Sequence, residues 1–224
     1  MKTILVSGSS SGIGYAICKE SKKLGHNVIG ISRSINSELA ALDIKSYSVD
    51  VTNQNQINDL VSNLTLENIT IDILINNAGL LIKDRFRNTT DDSFKKVYDV
   101  NVFGLANLTR ALLPIINNDG QVINISSIGG LNNSKKFPGL SAYASSKGAL
   151  ITLTEVLAEE YRSRPRFNCL ALGSVKTKML AEAFPAYEAK IMPDEMAKQI
   201  LDFAFDENNT SNGEIITLDK GNLE

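Results

Sequence analysis

The chain has 224 residues, 43% of them apolar and 21% charged, which suits one globular domain over 1–224 with a sizeable buried core. Lys plus Arg total 23 and Asp plus Glu total 25, a formal net charge of −2, so no electrostatic reason exists for nucleic acid or an anionic membrane as partner. One histidine and two cysteines leave no zinc cluster or other metal site and no Ser-His-Asp triad; acid–base chemistry falls to Tyr, Lys, Asp, Glu or Ser.

The first strand is expected at Thr3–Ser7. It is too short for a signal peptide and has no cleavage pattern, and no later run approaches the roughly 20 apolar residues of a membrane span. A cytoplasmic protein is therefore expected. The strand runs into Gly8-Ser9-Ser10-Ser11-Gly12-Ile13-Gly14, and a helix over about 12–24 follows. A strand, a tight glycine turn and a helix N-terminus make an anion site, because free N–H groups and the helix dipole converge on one spot. Gly8, Ser10, Ser11, Gly12, Ile13 and Gly14 are thus candidates to cradle a pyrophosphate. No Gly-Lys-Ser/Thr closes the turn, so it is not a P-loop. Cys18 and Cys169 read as buried thiols of a reducing compartment, and His26 as a surface turn residue.

The second strand, Asn27–Ser32, ends at Ser32-Arg33. Arg and hydroxyl donors there favour a ribose 2′-phosphate, so NADP(H) is expected over NAD(H), which stays possible. The third strand, Ser46–Val49, leads to Asp50-Val51-Thr52. Asp50 could accept from an adenine amino group, and Asp50 or Thr52 reads equally as a helix cap for 53–64. The fourth, Ile71–Asn76, leads to Asn77-Ala78-Gly79, whose small residues let an adenosine lie close. The apolar period of Phe94, Val97, Tyr98, Val102, Leu105, Leu108 and Leu112 predicts one helix over 91–116. A fifth strand follows at Gln121–Ser126.

A helix over 140–163 carries Tyr143 and Lys147, four apart and so on one face. An ammonium beside a phenol favours the phenolate, and a tuned tyrosine can pass a proton to or from a carbonyl oxygen. A strand-end serine could hold the same oxygen. The sixth and seventh strands are expected at Phe167–Ala171 and Glu214–Leu218, with a helix over 193–206 between them. Apolar strands without polar alternation, separated by helices, predict an α/β, Rossmann-type, doubly wound parallel sheet of about seven strands, with helices on both faces.

In this order the motifs resemble the short-chain dehydrogenase/reductase family: Gly8-x-x-x-Gly12-Ile13-Gly14, Asp50-Val51, Asn76-Asn77-Ala78-Gly79, Asn101, Ile125-Ser126-Ser127, Tyr143-x-x-x-Lys147 and Gly173-Ser174-Val175-Lys176-Thr177. The resemblance implies a catalytic set of Asn101, Ser127, Tyr143 and Lys147. Tyr143 would be the general acid. Lys147 would lower its pKa and bind the nicotinamide ribose. Ser127, rather than Ser126, would position the substrate oxygen, and Asn101 would hold a water of a proton relay. Gly173, Val175 and Thr177 would contact the nicotinamide amide. A small-molecule ketone or secondary alcohol would be the substrate, with a 3-oxoacyl thioester or a general carbonyl compound as nearest guesses. A homodimer or homotetramer through the helices near 91–116 and 140–163 is implied too. A nucleotide-sensing or interaction protein on the same fold is the alternative.

The chain departs from the family pattern in three places. Leu172 stands at the usual proline, which predicts a looser loop after the sixth strand. Ser127 and Tyr143 lie 16 apart, longer than usual, with the extra residues in 131–137. Arg33 and Asp50 lie 17 apart, so the helix between them is expected short or missing. The apolar residues Met179, Leu180, Phe184, Pro185, Tyr187, Ile191 and Met192 read either as a cover over an apolar substrate or as a small packed helix. Lys135 and Lys136 read as a solvated pair or as an attractor for an anionic carrier.

Overall fold

The computed structural model of the chain describes residues 1–162 and 164–219. Residue 163, the last of the expected helix 140–163, and residues 220–224 of the expected domain lie outside these. Strands β1 (Thr3–Ser7), β2 (Asn27–Ser32), β3 (Lys45–Ser48), β4 (Ile71–Asn76), β5 (Ile116–Ser127), β6 (Arg166–Leu172) and β7 (Ile215–Leu218) form one sheet in the order β3-β2-β1-β4-β5-β6-β7. Every pairing is parallel.

The missing polar alternation has a direct cause. On β1, Ile4 and Val6 point to one face and Leu5 to the other. The first face is covered by α1 (Gly12–Lys23) and α8 (Pro193–Phe205), through Ile17, Met196 and Ile200. The second is covered by α3 (Gln54–Leu66), α5 (Leu105–Leu112) and α6 (Ser141–Glu160), through Ile57, Leu60, Leu108 and Ala158. Each fully buried Ile or Leu contributes roughly 1.5–3 kcal/mol, so both faces of the strands must be apolar. Between β2 and β3 only the five-residue α2 (Ser37–Ala41) fits, as the spacing predicts.

The expected helix 91–116 is not continuous. It comprises α4 (Asp91–Tyr98), a π-helical turn (Asp99–Gly104), α5 and a 3₁₀ turn (Leu113–Ile115), and Ile116 already belongs to β5. The wider turn is a register device that apolar periodicity does not reveal. It brings Asn101 inside, fully buried. At its end, a Cβ on Gly104 would stand 2.9 Å from both the Asp99 carbonyl oxygen and Val51 Cγ2. β5 starts earlier than expected. Ile116 pairs with Ile71, the register then shifts, and Gln121 pairs with Ile73.

His26 is more than a turn residue. Its Nδ1 accepts the Lys2 N–H at 3.2 Å, and its ring lies 4.2 Å from that of Phe205. Cys18 and Cys169 are both buried and free. Among the described residues no helix is long and apolar enough to cross a membrane, and no group of three or more His, Cys, Asp or Glu is placed to hold a metal.

Candidate active site

The chain turns at β1: β2 and β3 lie on one side of it, and β4 to β7 on the other. At such a switch point the loops leaving the carboxyl ends of the strands open a crevice. The glycine turn after β1 lies on this edge. Gly8 and Gly12 take φ of +70° and +58°, where a side chain is strained. Ser11 is the N-cap of α1, yet its side chain makes no cap hydrogen bond, and the first turn of the helix holds no acidic residue. The leading N–H groups of a 12-residue helix therefore lack a side-chain cap, which fits a pyrophosphate. The Ser10 carbonyl accepts from Asn36 Nδ2 at 3.1 Å, tying the turn to the loop after β2. Ile13 packs against the core from α1.

The end of β4 is latched to this turn. Ser7 Oγ accepts the N–H groups of Asn77 and Ala78, both at 3.0 Å, and Asn77 Nδ2 donates to the carbonyls of Ser7 and Gly8. The side chain of Asn77 thus positions the cradle from behind. Ser7 was missed from sequence because a strand-end serine carries no spacing signal.

Arg33 is exposed at the end of β2 and makes no ion pair among the described residues. The Ser32 hydroxyl donates to the Ser34 carbonyl at 2.7 Å, so its proton is already committed. Glu38, in α2, accepts from the Tyr15 hydroxyl. Asp50 accepts from the N–H and hydroxyl of Thr52 at 2.9 and 2.7 Å, and so shapes its own turn. The cap of α3 is neither of these but Asn53, whose side chain accepts from Asn55 and Gln56. Val51 is buried against Gly104.

Asn101, Ser127, Tyr143 and Lys147 converge on this same edge. Lys147 is buried; its Nζ donates to the Ile125 carbonyl at 2.7 Å and lies 5.9 Å from the centre of the Tyr143 ring. Burial pushes the Tyr143 phenol up to about 12, and the neighbouring Ser127 hydroxyl pulls the other way. Burial brings Lys147 down to about 8. Burial thus works against the lowering expected from the ammonium. Desolvation prevails, and the ammonium faces a carbonyl. Ser126 points elsewhere, donating to the Lys147 carbonyl at 2.9 Å.

Asn101 Oδ1 accepts the Leu80 N–H at 2.7 Å, and Nδ2 donates to the Leu80 carbonyl and to Ser146 Oγ, at 3.0 and 2.9 Å. Both amide protons are engaged, so the side chain ties the loop after β4 to α6. Ser146 in turn donates to the Tyr143 carbonyl at 2.7 Å. It lies inside the Tyr-x-x-x-Lys motif, and sequence reasoning passed over it. A Cβ on Gly79 would stand 3.5 Å from Asn101 Oδ1 and 3.6 Å from Lys147 Nζ, so glycine keeps that corner open.

Leu172 does not loosen its loop. It ends β6, packs in the core, and pairs with both Ser127 and Leu218. The Gly173 N–H donates to the Leu218 carbonyl at 2.9 Å, and Val175 bridges Ile191. Thr177 caps α7 (Lys178–Ala183) and lies 3.5 Å from where a Gly12 Cβ would be, so this stretch borders the glycine turn. Lys136 is folded into its own loop, donating to the carbonyls of Gly129 and Leu131 and to Ser134 Oγ. It is therefore not a free charge for a carrier.

The sequence pattern of the short chain dehydrogenase family matches residues 2–188. The 3-oxoacyl-(acyl-carrier-protein) reductase FabG of Thermotoga maritima is 31% identical over 98% of this chain and 97% of its own. A 4-hydroxyisoleucine dehydrogenase complexed with NADH superposes with a TM-score of 0.87 at 29% identity, covering 99% of this chain and 98% of that one. ElxO with NADP bound does so with a TM-score of 0.84 at 27% identity, covering 98% of each.

The chain belongs to the short-chain dehydrogenase/reductase family. It is an NAD(P)-dependent oxidoreductase acting on a carbonyl or CH–OH group, and the sensing alternative is not favoured.

Proposed function

We propose that the chain is a single-domain, NADPH-preferring reductase of a ketone, with a 3-oxoacyl thioester as the nearest substrate class and a general carbonyl compound next. The reading rests chiefly on one arrangement: Tyr143 beside the Ser127 hydroxyl and flanked by Lys147, on the same sheet edge as the uncapped start of α1. NADPH, when bound, would be the source of the hydride that the carbonyl carbon accepts. Tyr143, held protonated by burial, donates its proton to the developing alkoxide, and Ser127 donates a hydrogen bond to the same oxygen. Lys147 reaches the ribose side of the pocket. Asn101 fixes the geometry through Leu80 and Ser146. Gly8, Ser10, Ser11, Gly12, Ile13 and Gly14 carry the pyrophosphate, with Asp50, Val51, Asn77, Ala78 and Gly79 along the adenosine and Gly173, Val175 and Thr177 at the nicotinamide.

Arg33, without an ion pair among the described residues, supports a 2′-phosphate, with Ser32 turning from Ser34 to help. The thioester is supported by the name of the Thermotoga relative. The exposed Phe103 in the π-helical turn and Val156 on α6, 56% and 54% accessible, support a homodimer or homotetramer. Two buried free thiols suit the cytoplasm.

The test is a panel of ketones, sugars and 3-oxoacyl thioesters with NADPH and NADH, followed by loss of reduced-nicotinamide absorbance. Arg33→Ala should raise KM for NADPH about tenfold and leave that for NADH unchanged. Equal kcat/KM with both cofactors would overturn the preference. No turnover of any thioester would remove that class.

A further inference from the structure

Beyond β6 the chain leaves the sheet edge at Lys176 and returns at Ile191, where the Lys176 N–H donates to the Ile191 carbonyl at 2.8 Å. The excursion between them carries α7 and Phe184. Its base is anchored by the Val175–Ile191 bridge and by a hydrogen bond of 2.8 Å between the hydroxyls of Ser174 and Tyr187. Its far end is held by a residue from another part of the chain. Lys83, in the loop after β4, donates from Nζ to the Ala183 carbonyl at 2.8 Å. The same Nζ lies 3.9 Å from the centre of the Phe184 ring. A cation on a helix's last carbonyls and over an aromatic face is favourable on both counts.

Lys83 is also fixed from behind. Gly139, at φ +88°, leaves room for it: a Cβ there would stand 3.1 Å from Lys83 Cγ. The neighbouring Asp84 N–H donates to the Gly139 carbonyl at 3.0 Å. Gly139 lies just before α6, four residues ahead of Tyr143. Three segments that border the site therefore meet at this one side chain: the loop leading from Leu80, the entry to α6, and the excursion.

We propose that Lys83 is a positioning residue that clasps the 176–191 excursion over the mouth of the site and so limits the size of carbonyl compound admitted. The clasp is geometric; the limit on size rests on the reductase reading above. Lys83→Met keeps an apolar stem but removes both contacts, whereas Lys83→Arg keeps a donor and a cation. With Lys83→Met, glutamyl endopeptidase should cut after Glu182 and Glu188 about tenfold faster, at unchanged Tm and unchanged NADPH Kd. The ratio of kcat/KM for a bulky ketone to that for a small one should rise about tenfold, and Lys83→Arg should stay near wild type in both respects. Unchanged cleavage in Lys83→Met overturns the clasp. Faster cleavage with an unchanged substrate ratio overturns the control of size. Failure of the wild type to turn over any carbonyl compound overturns the reductase reading and the size limit with it, while the cleavage comparison still decides the clasp.

Discussion

Asn101 grips Leu80 with both ends of its amide, accepting from the N–H at 2.7 Å and donating to the carbonyl at 3.0 Å. This pair joins the π-helical turn to the loop that opens the site, and Ser146 extends it to α6. Asn101→Ala strands the polar groups of Leu80 and removes the donor to the Ser146 hydroxyl. It should cost about 2–3 kcal/mol of stability and lower Tm by roughly 4–12 °C. Asn101→Asp keeps the acceptor for the Leu80 N–H but sets a buried carboxylate oxygen against the Leu80 carbonyl, and should lose at least as much Tm as the alanine variant. Thermal melts of the two variants side by side check this; equal, small losses would show that the amide holds nothing.

A Cβ on Gly14 would stand 2.2 Å from the Gly8 carbonyl oxygen and 2.5 Å from Asn77 Nδ2. Backbone has to move, because the Gly8 oxygen is main chain and Asn77 Nδ2 is tied to the carbonyls of Ser7 and Gly8. Gly14→Ala should therefore displace the whole cradle, costing about 1–3 kcal/mol and weakening NADPH binding at least tenfold. Titration by nucleotide fluorescence reads the second effect. Wild-type affinity in this variant would mean that the turn does not carry the pyrophosphate.

The buried Lys147 should weaken the fold. Its folded pKa, about 8, lies below its ordinary 10.5, so between those values the unfolded chain binds more protons. The burial penalty is then fully present below pH 8 and is relieved as pH rises toward 10.5. Lys147→Met should abolish turnover yet stabilise the protein at pH 7, by on the order of 3 kcal/mol less what the orphaned Ile125 carbonyl costs. Denaturant melts across that range check the sign: the gap between variant and wild type should narrow with rising pH. A gap that widens contradicts the account.

The strand positions and the shared edge of the glycine turn, Tyr143 and Lys147 were legible because burial on two faces and i,i+4 spacing leave strong local patterns. The break at Asp99–Gly104 was not, since a wider turn preserves apolar content while shifting its phase. Nor was the role of Asn53, because Asp50, Thr52 and Asn53 can all cap a helix and only the backbone path selects one. The balance between Lys147 and burial at Tyr143 is hidden from sequence for a related reason. Spacing brings two groups to one face, but solvation decides which protonation state each prefers.

The central claim is that the Tyr143 hydroxyl delivers the proton. Tyr143→Phe removes that oxygen and little else, so single-turnover reduction by prebound NADPH, measured with nucleotide affinity in the same samples, tests it most directly. The account predicts an affinity within about threefold of wild type and a loss of roughly 10²–10⁴-fold in the hydride-transfer rate. A variant that binds NADPH normally and reduces its substrate at close to the wild-type rate would contradict it.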